Sequence, residues 1–127
     1  MPKQIIQSDR APQAIGTYSQ AVRAGNTVYV SGQIGIDPAT GNLVEGVHAQ
    51  IEQVFRNLEA IAAAAGASLQ DAVKVSVFLT DMGNFARVNE AMARHVPQPY
   101  PARAAVGVAS LPRGALVEVE AVLAIEP

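Results

Sequence analysis

Arg103 stands in the stretch YPARAAVGV (residues 100–108), followed only by alanine, valine and glycine. A guanidinium offers a planar fork of donors that matches a carboxylate bidentately, which an ammonium cannot do. With such small neighbours, it either clamps something planar and anionic or makes a rim ion pair with Glu118 or Glu120. Those two glutamates alternate in ALVEVEAVLAI (115–125), so they share one face of a strand. A strand interior is a poor place for two carboxylates. Either one of them holds and polarises a water as general base or acid, or both lie at a solvated edge. Tyr18 and Ser31 sit near strand ends and can add polar contacts, although such residues are commonplace there. There is no cysteine, and neither of the two histidines, His48 and His95, has a partner at metal-ligand spacing. His95 reads as a helix C-terminal cap and His48 as a solvated helix residue. Gly25, Gly32 and Gly35 do not make a phosphate loop, because no Gly-rich fingerprint follows a strand and opens a helix.

These residues need elements to position them. NTVYVSGQIGI (26–36) alternates, with Val28 and Val30 on one side and Tyr29, Ser31 and Gln33 on the other. DPATGN (37–42) supplies a turn. From about Glu45 to Ala65, Val47, Ile51, Val54, Leu58, Ile61 and Ala65 fall at spacings of three and four, which predicts a helix ended by Gly66. AVKVSVFLT (72–80) reverts to period two, with Val73, Val75, Val77 and Leu79 on one face and Lys74, Ser76, Phe78 and Thr80 on the other. A second helix is expected over 84–95 on Phe85, Val88 and Met92, and PQPYP (97–101) stops it. Glu52 with Arg56 and Glu90 with Arg94 have the spacing of helical ion pairs. Strands over 103–109 and 115–125 complete the chain, with a first strand near 17–23 as hairpin partner. This order suits a single α+β domain over 1–127, with both helices on one face of a mixed sheet.

Alternation assigns faces. Val117, Val119, Ala121, Leu123 and Ile125 are expected to meet the helices, with Leu116, Glu118, Glu120 and Val122 pointing away. On the preceding strand, Ala104, Val106 and Val108 are assigned to the helices and Arg103, Ala105 and Gly107 to the far face. That far face is too apolar to be simply wet, and no third helix exists to cover it, so an oligomer is expected.

Composition narrows the function. The 127 residues are half hydrophobic and 16% charged, a globular balance. No apolar run is long enough to span a membrane, and the first residues lack a secretory signal pattern, so a cytoplasmic protein is expected. The net charge of −2, with no basic cluster, argues against nucleic acid as a partner.

AIGTYSQAV (14–22), VYVSGQIGID (28–37), VSVFLTDMGNFARVNEAM (75–92) and YPARAAVGVASLPRGALVEVEA (100–121) together resemble the RidA branch of the Rid family, the enamine/imine deaminases. The resemblance covers essentially the whole chain in order. Its most specific block is Pro-Ala-Arg followed, after a strand and a Leu-Pro turn, by Glu-Val-Glu. It implies a chorismate-mutase-like α+β fold, a homotrimer with clefts between subunits, and no cofactor or metal. It also implies hydrolysis of 2-imino acids, formed from 2-aminoacrylate and related enamines, to 2-keto acids and ammonia. Carried onto this sequence, Arg103 binds the substrate carboxylate and Glu118, rather than Glu120, holds the attacking water. Tyr18, Ser31 and Asn89 line the cleft, and Gly32 and Ala105 give backbone contacts. Ala105 stands where several members have cysteine, and Thr17 where proline is common. Two alternatives go with this reading. One is a non-catalytic trimer binding keto or amino acids; the other is a ribonuclease or translation inhibitor, which the charge disfavours.

Overall fold

The meander that opens the chain runs from β1 (Gln4–Ile6) through β2 (Ala21–Ala24) to β3 (Thr27–Gln33) in the computed structural model, which describes residues 2–126. A separate small hairpin, β4 (Ile36–Asp37) and β5 (Asn42–Leu43), leads into α1 (Val47–Ala64). Then follow β6 (Ala72–Leu79), α2 (Phe85–His95), β7 (Ala102–Gly107) and β8 (Val117–Ala124). The main sheet has the order β1-β2-β3-β8-β6-β7. Among the described residues only β6 and β7 are parallel, and α2 is the crossover that such a pair requires. The rest pair antiparallel, which makes the sheet mixed. One α+β domain with both helices on a single face is therefore what the chain forms, as its periodicities indicated.

The core lies between that face and the helices. Ile51, Val54, Phe55, Leu58 and Ile61 of α1 are buried in one cluster with Val28, Val77, Val117, Val119 and Leu123 of the sheet. Val88, Ala91 and Met92 of α2 join the same cluster. Two buried amides on α1 fasten the loops beside β8. Gln50 accepts from the Leu116 N–H at 2.9 Å and donates to the Val44 carbonyl at 3.1 Å. Asn57 donates to the carbonyls of Ile34 and Ile36, at 3.3 and 3.0 Å. Buried amides are stable only when satisfied in this way. Gly35 has no room for a side chain: a Cβ there would stand 2.7 Å from the Gln50 Cα.

Alternation holds along β8, where Val117, Val119, Ala121 and Leu123 are buried against the helices and Glu118, Glu120 and Val122 face away. The faces expected from the sequence fail in three places. Val30 pairs with Ala121 but Gln33 pairs with Val119, so β3 carries one extra residue at Ser31–Gly32. This bulge turns Gln33 inward, where it is buried, instead of outward with Tyr29 and Ser31. A second register shift, between Ala72 and Lys74, leaves Val73 48% exposed rather than in the core.

The third correction concerns β7. Its parallel register sets Arg103 beside Val75, Ala105 beside Val77 and Gly107 beside Leu79. Neighbours in a sheet point to the same side. Arg103, Ala105 and Gly107 therefore lie on the helix side, and Ala104 and Val106 on the far side, the reverse of the parity assigned from the sequence. Ala105 packs on the core, while Val106 is 47% exposed.

The expected ion pairs are also rearranged. Glu52 reaches across from α1 to Arg94 and His95 of α2, and Glu59 joins it at His95. His95 stacks on Phe55 with ring centroids 5.5 Å apart, so it clasps the two helices together instead of merely capping one.

Candidate active site

The site residues expected from the sequence fall mainly into two groups, one on each side of the sheet. On the far side lies a cleft of about 690 Å³. Its floor is Glu118 and Glu120 from β8 and the Ser31–Gly32 bulge of β3; Tyr18, Ile34, Ile36 and Arg113 form its walls. The bulge explains the geometry. A Cβ on Gly32 would stand 2.9 Å from both Cδ and Oε2 of Glu118, so the missing side chain is what makes room for the carboxylate. Burial raises the Glu118 pKa above its ordinary value, and the nearby charge of Glu120 raises it further.

The remaining wall is held by backbone contacts. Ser31 donates its hydroxyl to the Ser19 carbonyl at 2.5 Å and its N–H to the Gln20 carbonyl at 2.9 Å. The hydroxyl proton is thereby used, and its oxygen is left to accept from a ligand. Gln20 is buried. Its Oε1 accepts from the Ser8 N–H at 2.6 Å, and its Nε2 donates to the carbonyls of Ser8 and Pro12 at 3.1 and 2.7 Å. This staple fixes the segment that delivers Tyr18, which stands 54% exposed at the mouth.

Arg103 is on the other side. Its Nη1 donates to Asn89 Oδ1 at 2.8 Å and touches the Met92 sulfur at 3.6 Å. The guanidinium lies over the Phe85 ring, 4.8 Å from its centroid. Tyr100 and Pro101 complete a hollow of about 300 Å³ around it. Among the described residues no carboxylate pairs with Arg103. The rim ion pair with Glu118 or Glu120 is thus not formed within the chain.

Of the residues expected from the sequence and the resemblance, Tyr18, Ser31, Gly32 and Glu118 come together in one cleft, and Arg103 and Asn89 come together elsewhere. Sequence reasoning did not separate the two groups. It also missed Gln20 and Arg113, and read Phe85 and Met92 only as core. Phe85, Asn89 and Met92 recur at spacings of four and three, a signal that they share a helix face. Arg113 sits at φ 59°, in the left-handed region unusual for a side-chain-bearing residue, and its Nη1 donates to the Gly41 carbonyl at 3.0 Å. Among the described residues no cluster of His, Cys, Asp or Glu could hold a metal ion, and no helix is long and apolar enough to cross a membrane.

Comparison with known proteins agrees with this architecture. The family described as Endoribonuclease L-PSP matches residues 8–125. A relative from Dermatophagoides farinae named 2-iminobutanoate/2-iminopropanoate deaminase is 46% identical over 126 residues, covering 98% of each chain. The crystal structure of RidA from the Antarctic bacterium Psychrobacter sp. PAMC 21119 superposes with a TM-score of 0.94 at 59% identity, covering 96% of this chain and 99% of that one. E. coli TdcF, crystallised with bound serine, gives a TM-score of 0.90 at 40% identity, covering 97% of this chain and 99% of that one. This chain belongs to the Endoribonuclease L-PSP family, which is the Rid family.

Proposed function

We propose that this protein hydrolyses small 2-imino acids to 2-keto acids and ammonia, at sites formed between the copies of a homotrimer. The observation that carries the reading is the division of the polar residues. Arg103, which in this reading clamps a carboxylate, and Glu118, which in this reading holds the water, lie on opposite faces of one sheet, with β6 between their strands. A small ligand can touch both only if Arg103 of one copy meets the Glu118 cleft of another. The far face supports such an assembly, because Tyr29 and Val106 expose about half their surface there beside half-buried Phe78 and Val122. Names of relatives support the chemistry, and the serine in TdcF is an amino acid with the carboxylate that Arg103 would recognise.

In this reading the substrate carboxylate pairs with Arg103, with Asn89 beside it. Glu118 accepts a proton from a water molecule, whose oxygen adds to the imine carbon. The nitrogen, protonated in turn, leaves as ammonia as the C=O forms. Tyr18, Ser31 and the backbone at Gly32 and Ala105 line the site, and the Ser31 oxygen is free to accept from the imine N–H. Imines already hydrolyse in water, so orientation and electrostatic stabilisation are sufficient sources of acceleration. A cleft with two glutamates on its floor suits a nucleic-acid phosphate poorly, which weighs against the nuclease reading.

The test is a coupled assay. A pyridoxal-phosphate lyase generates 2-aminoacrylate, and keto-acid release is followed with and without the protein. Acceleration that depends on protein concentration is expected. Tight keto-acid binding without acceleration would favour the non-catalytic alternative.

A further inference from the structure

We infer that Phe85 is a positioning residue for Arg103, holding the guanidinium plane so that the Nε–Nη2 edge is the one offered to a carboxylate. Arginine has a long side chain with many rotamers, and β7 is an edge strand whose residues are mostly exposed. A bidentate contact needs that freedom removed before the ligand arrives. Three side chains of α2 remove it. The Phe85 ring covers one face of the guanidinium at 4.8 Å, within the range of a cation–π contact. Asn89 Oδ1, at 2.8 Å, and the Met92 sulfur, at 3.6 Å, occupy Nη1. Among the described residues nothing bonds Nε or Nη2, which lie on one edge with the parallel geometry that a carboxylate matches. The ring itself need not touch the ligand. Phe85 is only half-buried, packed against the margin of the core, so filling the interior does not account for an aromatic residue at this position.

This inference rests on Arg103 being the carboxylate contact, and the experiment keeps the two apart. Phe85 is replaced by a series of increasingly fluorinated phenylalanines, which keep the ring's shape while draining the negative charge from its face. KM and kcat for imine hydrolysis are measured alongside the Kd for pyruvate. KM and Kd should rise stepwise, by about fivefold at full fluorination, as expected for loss of a partly exposed cation–π contact. The value of kcat should stay within about twofold, since the contact acts in ground and transition states alike. Phe85→Tyr should behave as wild type, and Phe85→Leu like the fully fluorinated ring. Flat KM and Kd across the series, with pyruvate binding lost in Arg103→Ala, would reduce Phe85 to a packing residue and overturn the inference. Wild-type KM in Arg103→Ala would remove the Arg103 reading and this inference with it.

Discussion

Gly32→Ala should cripple the site while leaving the fold nearly intact, because it moves the Glu118 carboxylate without removing it. The added methyl would lie 2.9 Å from Cδ and Oε2 and 3.1 Å from Cγ of Glu118. Relaxed carbon contacts need about 3.5–4.0 Å, so the carboxylate must withdraw by roughly 0.5–1 Å. A displacement of that size in a reacting group costs on the order of 100-fold in rate. This corresponds to about 2–3 kcal/mol of transition-state stabilisation. Stability should fall by no more than about 1.5 kcal/mol, since the atoms that give way are the end of a flexible, half-buried side chain. The assay is kcat/KM for imine hydrolysis in the lyase-coupled system, with thermal unfolding and light scattering to establish that the protein is assembled. A well-folded Gly32→Ala protein hydrolysing within twofold of wild type would refute the reasoning, because the water could then not be held where the bulge seats Glu118.

Three further outcomes follow from the same geometry. Gly35→Ala should act oppositely, losing about 3 kcal/mol of stability by overpacking, because its methyl would meet the Gln50 backbone rather than a movable side-chain end; wild-type melting would contradict this. Arg103→Lys keeps the charge but loses the planar fork, so keto-acid binding measured by calorimetry should weaken by roughly 2–5 kcal/mol without loss of melting temperature. Glu118→Gln should abolish hydrolysis yet raise the melting temperature at pH 7. The folded-state pKa of Glu118 is raised, so its contribution to stability is fully present below the ordinary value of 4.5 and is lost as pH rises through the folded value. The advantage of the glutamine variant should therefore appear near neutral pH and vanish in acid, and an equal advantage at both pH values would show that the charge is not its source.

What the sequence revealed depended on whether a residue's surroundings were local. Val117 to Leu123 and Ile51 to Ile61 were legible because each segment has one strongly apolar side, and that side must be buried. Arg103 was not legible in the same way. Its strand is built of alanine, valine and glycine, which show no preference between faces, and its orientation comes from pairing with β6, about 28 residues earlier. Gln33 and Val73 were misplaced because bulges shift the parity of a strand, and nothing in their own residue types announces the extra position. In the candidate site, Tyr18, Ser31, Gly32 and Glu118 were gathered by resemblance, and the fold draws them into one cleft. That a sheet divides them from Arg103 and Asn89 follows from the register of β7 against β6, which periodicity does not report.

The most direct test of a site shared between copies is complementation. Arg103→Ala and Glu118→Gln proteins, each inactive alone, are unfolded, mixed in equal amounts and refolded together before assay. In a randomly mixed ring, about a quarter of the boundaries join an intact Arg103 to an intact Glu118, so hydrolysis should return to about a quarter of that of wild type refolded alongside. A mixture as inactive as its parents, beside active refolded wild type, would contradict the shared site.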